Sequence, residues 1–329
     1  MPSDRIRLSV AEARDHAERA MRGIGYDAEE AHILADHAID AALCGYEYSG
    51  LAKLLNIPQH RRFKQPRRPV RVLRETEVSA LYDGGNNVGM LAMYHVARAA
   101  IAKSATHGVA IIGVTNSWMS GRSAYYVEMI AKADLIGIHT AGSARTVAPP
   151  GGTRPALGTN PIAFSPPSSR GPIVFDMGTS AFMGTDLMYR ERMGQLLPQG
   201  VAIDSEGQPT RDPTLARLGA LLPFGGYKGF GLAMIVQAFG LLAGSALGPD
   251  KDDDGYLFVV FKPGLLAERD DFKHQLGELI ETIKATPRQP GVNEIRIPGE
   301  RAFRSRERGL REGIEIDRLV YEALATLHV

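Results

Sequence analysis

The chain has one cysteine, Cys44, and one tryptophan, Trp118, in 329 residues. A lone thiol cannot close an internal disulfide and excludes a cysteine-rich zinc site, so a reducing cytoplasm is the expected setting. Neither sign of charge is in excess. The 38 Lys and Arg against 37 Asp and Glu leave a formal +1, which argues against a general nucleic-acid or anionic-membrane surface. The opening MPSDRIRLSV has no apolar core of signal-peptide length. No G-x-G-x-x-G follows an apolar run, no G-x-x-x-x-G-K-[ST] occurs, and G-x-S-x-G and H-E-x-x-H are missing. Local motifs therefore mark neither a Rossmann site nor a P-loop, hydrolase elbow or zinc protease, and no metal is expected. There is no internal repeat and no low-complexity tail.

Only one long stretch lacks charge. Gly229–Pro249 carries Gln237 and Ser245 as its only polar side chains, close to membrane-span length. It also holds five glycines and no aromatic belt, so it is expected to be a buried core helix rather than a span.

With 44% hydrophobic residues there is material for a large core in one or two closely packed domains. Ser9-Val10-Ala11-Glu12 has capping-box spacing and predicts a helix ending near Gly23 or Gly25. Asp27-Ala28-Glu29-Glu30 predicts a second, stopped by Gly45. His32 and His37, five apart, share no helix face and are read as surface or rim residues. Arg61–Arg71, RRFKQPRRPVR, reads as a solvated extended linker, or else as an attractor of anions. Val70–Tyr82 predicts one or two strands, Met90–Thr106 a helix, Val109–Val114 a strand, Gly121–Asp134 a helix and Leu135–Thr140 a strand. Two strand–helix alternations suggest parallel pairing in this half. Beyond Pro213 come the apolar helix, a strand Tyr256–Phe261, a charged helix Glu268–Ala285 and a last helix Ile316–Leu327.

The chain is organised around Leu157–Asp186. Gly158-Thr159-Asn160-Pro161 reads as a tight turn. Ile162-Ala163-Phe164 and Ile173-Val174-Phe175 read as a hairpin or neighbouring strands. Asp176 ends a strand, and Gly178-Thr179-Ser180 is expected to open a helix. A carboxylate, hydroxyls and a glycine at such a junction suit a ribose or phosphate; the plainer reading is an ordinary helix cap.

LGTNPIAF, PIVFDMGTSA, LLPQGVAIDSEGQPTRDP, LLPFGGYKGFGLAM and IRIPGER, in that order, resemble the type 2 malate/L-lactate dehydrogenase family. The resemblance runs from about Ser9 to the C-terminus. It implies an α/β fold with a mixed central sheet flanked by helices, binding its dinucleotide without the Rossmann fingerprint. It further implies an N-terminal helical segment (1–68) and a C-terminal one (301–329) packed together around an α/β catalytic domain (69–300). The implied activity is NAD- or NADP-dependent reduction of a 2-oxo acid or a cyclic imino acid, in a homodimer with the site near the subunit contact. The partners expected are a small carboxylate substrate and a second copy, with no nucleic acid and no membrane.

Carried over by position, the cofactor would touch Ser120-Gly121-Arg122-Ser123 at a helix start, then Asp176-Met177-Gly178. Tyr227-Lys228 would add a cation, and Arg296, Pro298, Gly299 and Glu300 a charged turn. Hydride delivery to a carbonyl leaves an alkoxide that needs a proton. The family has Ser-His-Gly at the end of its second helix, its histidine being the acid and an Asp orienting it. Here Tyr48-Ser49-Gly50 occupies that place and Asp186 is retained. The family's carboxylate-binding Arg is Lys53, still cationic but without a bidentate fork, its second His is Met119, and its substrate-contacting Thr is Thr159. Arg145 is a candidate for the missing guanidinium. Three readings stay open. Tyr48 donates, its phenol acidified by Lys53 or the nicotinamide; or the substrate is an iminium that needs no strong acid; or the protein binds dinucleotide without catalysis. His60 and His139 are further donors to weigh, each with a structural role as the plainer reading.

Overall fold

The computed structural model describes residues 4–248, 251–252 and 254–328. In chain order the elements are β1 (Arg5–Leu8), α1 (Val10–Gly23), α2 (Ala28–Leu43), α3 (Leu51–Leu54), β2 (Arg71–Glu75), β3 (Ser79–Val88) and α4 (Gly89–His107). Then follow β4 (Val109–Trp118), α5 (Ser123–Lys132), β5 (Ile136–Gly142), β6 (Ile162–Ser165), β7 (Phe175–Met177) and α6 (Gly184–Arg192). The last third holds β8 (Ala202–Ile203), α7 (Pro213–Leu218), β9 (Ala220–Leu221), α8 (Tyr227–Leu242), β10 (Leu247–Gly248), β11 (Lys251–Asp252) and β12 (Gly255–Phe261). It ends with α9 (Arg269–Ala285), α10 (Glu300–Glu312), β13 (Ile314–Asp317) and α11 (Arg318–Ala325).

The central sheet has seven strands in the order β2-β3-β4-β12-β5-β6-β7. Only β3 and β4 pair in parallel; β12 enters antiparallel between β4 and β5. The strand–helix alternation therefore puts β4 and β5 in one direction but does not make them neighbours, as parallel pairing would require. The hairpin expected at 162–175 is present, with Ala163 opposite Asp176. The helix expected at Gly178 starts six residues later at Gly184, because Thr179 and Ala181 spend their amides on Thr159 O and Leu222 O.

One face of the sheet carries α4 and α5. Ile112, Val114, Tyr256, Phe258 and Val260 share a core with Met93, Val96 and Tyr126 there. Helix α8 crosses the other face, where a Cβ on Gly255 would run into the backbone of Gly240. A second core joins both ends of the chain. Strand β1 pairs antiparallel with β13, and Leu34, Leu51, Leu54, Ile316 and Leu324 pack together. Both capping boxes form: Ser9 with Glu12, and Asp27 with Glu30. The last helix begins only at Arg318, because Ile314–Asp317 is drawn into the strand with β1.

Helix α8 differs from expectation. It forms, but only Gly229, Ala233, Val236 and Gly240 are buried, while Met234 and Ile235 are 53% and Leu242 71% exposed. A helix apolar all round can bury one side on a sheet and leave the other side apolar and open. Pro249 lies outside the described residues. No described helix is long and apolar enough to cross a membrane.

Candidate active site

Strand β7 delivers Asp176 to the sheet edge beside the first turn of α5, where its Oδ2 accepts the Ala124 amide at 2.8 Å. Asp176 is open to solvent at the sheet edge, yet the protein crowded around its carboxyl raises its pKa, and the Ala124 amide and Arg122 oppose the rise. Arg122, just ahead of α5, is buried and donates to Asp40 Oδ2 at 2.6 Å. Its guanidinium stands 5.2 Å from the centre of the Tyr46 ring, and Arg301 stands 4.8 Å from the same ring. The Ser123 hydroxyl is buried and has no partner among the described residues.

A buried, unpartnered hydroxyl at a helix start, between Arg122 and the Ala124 amide that the Asp176 carboxylate takes, fits a dinucleotide. The fit does not rest on open amides. Arg122 N–H already donates to His37 Nε2 at 2.8 Å, and Ala124 N–H is taken by Asp176. This corrects the reading of His37 as a rim residue. It is 1% exposed, and burial holds it well below the ordinary histidine range. Gly121, at φ 83°, lies so close to the ring that a Cβ would collide with His37 Nε2. His32 does lie on the surface, beside Glu18.

The other cofactor candidates approach from two directions. The loop from Met177 and Gly178 to Met183 bonds along residues 222–224, through Ala181 to Leu222 and Phe224 to Thr179. This brings the start of α8, with exposed Tyr227 and Lys228, towards Asp176. Gly299 caps α10 in the left-handed region at φ 94°, its Cα close against Val174 O, one residue before β7. Arg296 pairs with Glu294 at 3.6 Å, Pro298 is exposed, and Glu300 accepts from Lys284 at 2.5 Å. Ser120 accepts from the Tyr126 phenol through its carbonyl.

Next to this cleft is a cavity of about 530 Å³, whose wall includes Thr159, Thr185, Arg145, Met119, His60 and Asp254. Sequence reasoning missed Asp254. Its carboxylate accepts from Met119 N–H at 3.2 Å, Ala144 N–H at 3.1 Å and the Tyr256 phenol at 2.7 Å. Burial raises its pKa against those donors. The only hint in the sequence is an acidic run ahead of a strand, which ordinarily marks a turn. Thr185 was also missed, hidden beside Asp186.

His60 stacks on Trp118 with ring centres 4.3 Å apart and planes at 4°. Its Nδ1 accepts from Arg62 N–H, and burial with Arg61 and Arg62 nearby lowers its pKa to about 4, so it is neutral. Arg62 is not part of a solvated linker. It is 8% exposed and donates to Asn86 Oδ1 at 2.8 Å, Asn116 Oδ1 at 2.5 Å and Ser117 O at 3.3 Å. His139 lies in the sheet core, fully buried and bonded through Nδ1 to Leu257 O.

The turn after α2 carries Tyr48, half-buried, and Ser49, buried. Burial, then Asp186, Tyr46 and Asp176, push the Tyr48 phenol up, with Arg122 opposing. Lys53 is not among the groups acting on it. Asp186, in the first turn of α6, lies 3.4 Å from Arg190 and is itself raised by burial. Tyr48 and Asp186 thus sit on the cleft side, while Thr185 faces the cavity. Lys53, on α3, is buried behind Thr185 and donates to its Oγ1 at 3.2 Å. Burial brings Lys53 down to about 8 against the pull of Asp254.

Residues 8–325 match the family model for malate/L-lactate dehydrogenase. The chain is 32% identical to an L-sulfolactate dehydrogenase of Methanothermobacter thermautotrophicus, over 97% of this chain and 95% of that one. It is 36% identical to a Delta(1)-pyrroline-2-carboxylate/Delta(1)-piperideine-2-carboxylate reductase of Pseudomonas putida, over 69% of this chain and 68% of that one. Among solved structures it resembles a dehydrogenase from Sinorhizobium meliloti, with TM-score 0.91, 27% identity and 99% of each chain covered. The sulfolactate dehydrogenase of Methanocaldococcus jannaschii gives TM-score 0.86 and 28% identity over 98% of this chain and 96% of that one. The match spans both chain ends, the mixed sheet and the non-Rossmann cleft, and the chain belongs to the malate/L-lactate dehydrogenase family of oxidoreductases.

Proposed function

We propose that this protein uses NADH or NADPH to reduce the carbon next to a carboxylate, converting a 2-oxo acid to a 2-hydroxy acid. The observation that carries this reading is the adjacency of the two spaces. One segment, 176–185, begins at the Asp176 carboxylate beside the start of α5 and ends at Thr185 in the cavity wall. The bound nicotinamide supplies a hydride. Arg145 and Thr159 meet the substrate carboxylate, and Lys53 adds positive charge from behind Thr185. Tyr48, which stays protonated, donates a hydrogen bond at the place of the family's acid, with Ser49 beside it and Asp186 orienting it.

A cyclic imino acid is the second reading, favoured by one observation: the Tyr48 phenol, through burial and then the charge of Asp186, holds its proton tightly. A protonated C=N bond accepts hydride without asking for that proton. The test is loss of NADH or NADPH absorbance with a panel of 2-oxo acids, some bearing a second anionic group, and of cyclic pyrroline and piperideine carboxylates. Cofactor binding with no turnover of any of them would make the protein a non-catalytic dinucleotide binder.

The open face of α8 supports a homodimer. Met234, Ile235 and Leu242 would bury their exposed surface against a second copy, whereas a monomer would leave a contiguous apolar patch in water. Residues 1–68 and 301–329 are taken as one helical layer on the catalytic portion, 69–300.

A further inference from the structure

Resting on that function, the cavity raises a narrower question: which group gives up the proton that ends on the substrate. The histidines do not serve. His139 is enclosed in the sheet, His37 is committed to the Arg122 amide, and His60 is neutral with Nδ1 occupied by Arg62. Burial, then the charge of Asp186, makes the Tyr48 proton harder to release. We propose that Lys53, through the hydroxyl of Thr185, supplies the proton taken up by the substrate oxygen.

The geometry forms a short relay. Thr185 lines the cavity, and its Oγ1 accepts from Lys53 Nζ at 3.2 Å. That is the only side-chain hydrogen bond of a lysine 4% exposed, so two N–H groups of a buried ammonium have no partner among the described residues. A buried ammonium so thinly bonded is costly and gives up a proton readily. Asp254, in the wall of the same cavity, is the charge that favours the protonated form. From α2 the neutral His37 ring faces Lys53, and from the end of α6 Arg192 bonds to Ala52 O and Asn56 Oδ1. Among the described residues Asp254 is the one carboxylate that acts on the ammonium, which burial brings down to about 8, within reach of the working pH.

The step balances without another reagent. A reduced nicotinamide, when bound, would supply the hydride of the new C–H bond and be oxidised by that transfer, while the carbonyl π electrons move to oxygen. That oxygen takes the Thr185 hydroxyl proton as Thr185 takes one from Lys53 Nζ. The neutral amine regains a proton from solvent. Lys53 is a positioning and proton-supplying residue; Thr185 is the group that touches substrate.

The test compares Lys53→Met, Lys53→Arg and Thr185→Val with the parent, across pH, on a 2-oxo acid that the parent reduces. Parent turnover is expected to fall as pH rises through about 8. Each variant should lose at least about a hundredfold in kcat, keep its NADH and NADPH dissociation constants, and lose the fall near pH 8. Persistence of that fall in folded Lys53→Met, at whatever rate, would overturn the proposal, since a merely structural lysine leaves the titration in place. Should the lysine variants not fold, Thr185→Val carries the comparison. NMR titration of the parent's Lys53 side chain stands independently: a midpoint above about 10, the ordinary lysine value, overturns the proposal even in an active enzyme. A parent inert on every keto and imino acid would overturn the proposed function and this step with it, whereas an active parent with unaltered variants overturns this step alone.

Discussion

Replacing Lys53 with Met is expected to stabilise the protein while disabling it. The ammonium is 4% exposed and falls from 10.5 to about 8 on folding. At about 1.4 kcal/mol per pH unit, that drop corresponds to roughly 3 kcal/mol of folding free energy set against the charged form. Met fills similar volume without charge. One loss offsets the gain: Thr185 Oγ1 loses its donor, at about 1 kcal/mol, whereas the attraction of Asp254 is already contained in the net drop. A net gain of about 2 kcal/mol remains. Its pH dependence is fixed in sign. Below about 8 both states hold the proton and the folded state bears the full cost. Between about 8 and 10.5 the folded state has released the proton and the unfolded chain has not, so the parent recovers stability as pH rises. Urea midpoints of parent and variant, at one fixed protein concentration, should therefore differ at pH 7 and converge towards pH 10. A variant less stable than the parent at pH 7, or a gap that does not close, would refute the reasoning that Lys53 is a desolvated cation.

The remaining expectations concern the other parts of the site. Tyr48→Phe, which removes the hydrogen bond offered to the developing oxyanion, should lower turnover of a 2-oxo acid by about a hundredfold while leaving cofactor affinity nearly unchanged, and should cost an iminium substrate far less; full keto-acid activity would remove Tyr48 from the mechanism. Lys228→Ala and Asp176→Ala should each weaken NADH or NADPH binding roughly ten- to a hundredfold, as charged hydrogen bonds of about 1.5–3 kcal/mol imply, read by fluorescence titration of folded variants. Ile235→Glu with Leu242→Glu should convert a homodimer to a monomer in light scattering, and an unchanged mass would place the subunit contact elsewhere.

How far the sequence disclosed the protein depends on what each residue's neighbours in the chain reveal. The capped helices α1 and α2 were legible because Ser9–Glu12 and Asp27–Glu30 satisfy their own orphan amides locally. The hairpin of β6 and β7 was legible for the same reason: both strands and their turn lie within one short segment. What could not be read is decided at long range. Strand β12 separates β4 from β5 from more than a hundred residues away, so alternation alone suggested the wrong neighbour. The burial of α8 depends on whether a second surface meets its outer face, and an uncharged run cannot say which side a sheet will cover. His37 and Arg62 looked like surface residues because their partners, Arg122, Asn86 and Asn116, lie 24 to 85 positions off. Asp254 came in an acidic run whose local pattern is that of a turn. Its three donors come from residues 119, 144 and 256.

Those long-range partners share a place in the fold. The register of β3 and β4 breaks between Asp83 and Asn87, and Asn86, Asn116 and Met119 take left-handed φ values of 60°, 52° and 59° there. For Asn that conformation is mildly unfavourable and for Met it is costly, so something must hold it. Arg62 grips both asparagines from one side, and Asp254 takes the Met119 amide from the other. Met119 then lines the cavity, with the stacked pair of Trp118 and His60 beside it. The charges of Arg62 and Asp254 thus flank a stretch where β3 and β4 give up their regular register, and the cavity, with Lys53 behind its Thr185, opens beside that break. Stability alone would favour a regular ladder and apolar side chains at these positions. A fold that keeps unfavourable dihedrals and a thinly bonded ammonium side by side is holding a shape that reactants need, and reversing either, as Lys53→Met does, should trade activity for stability.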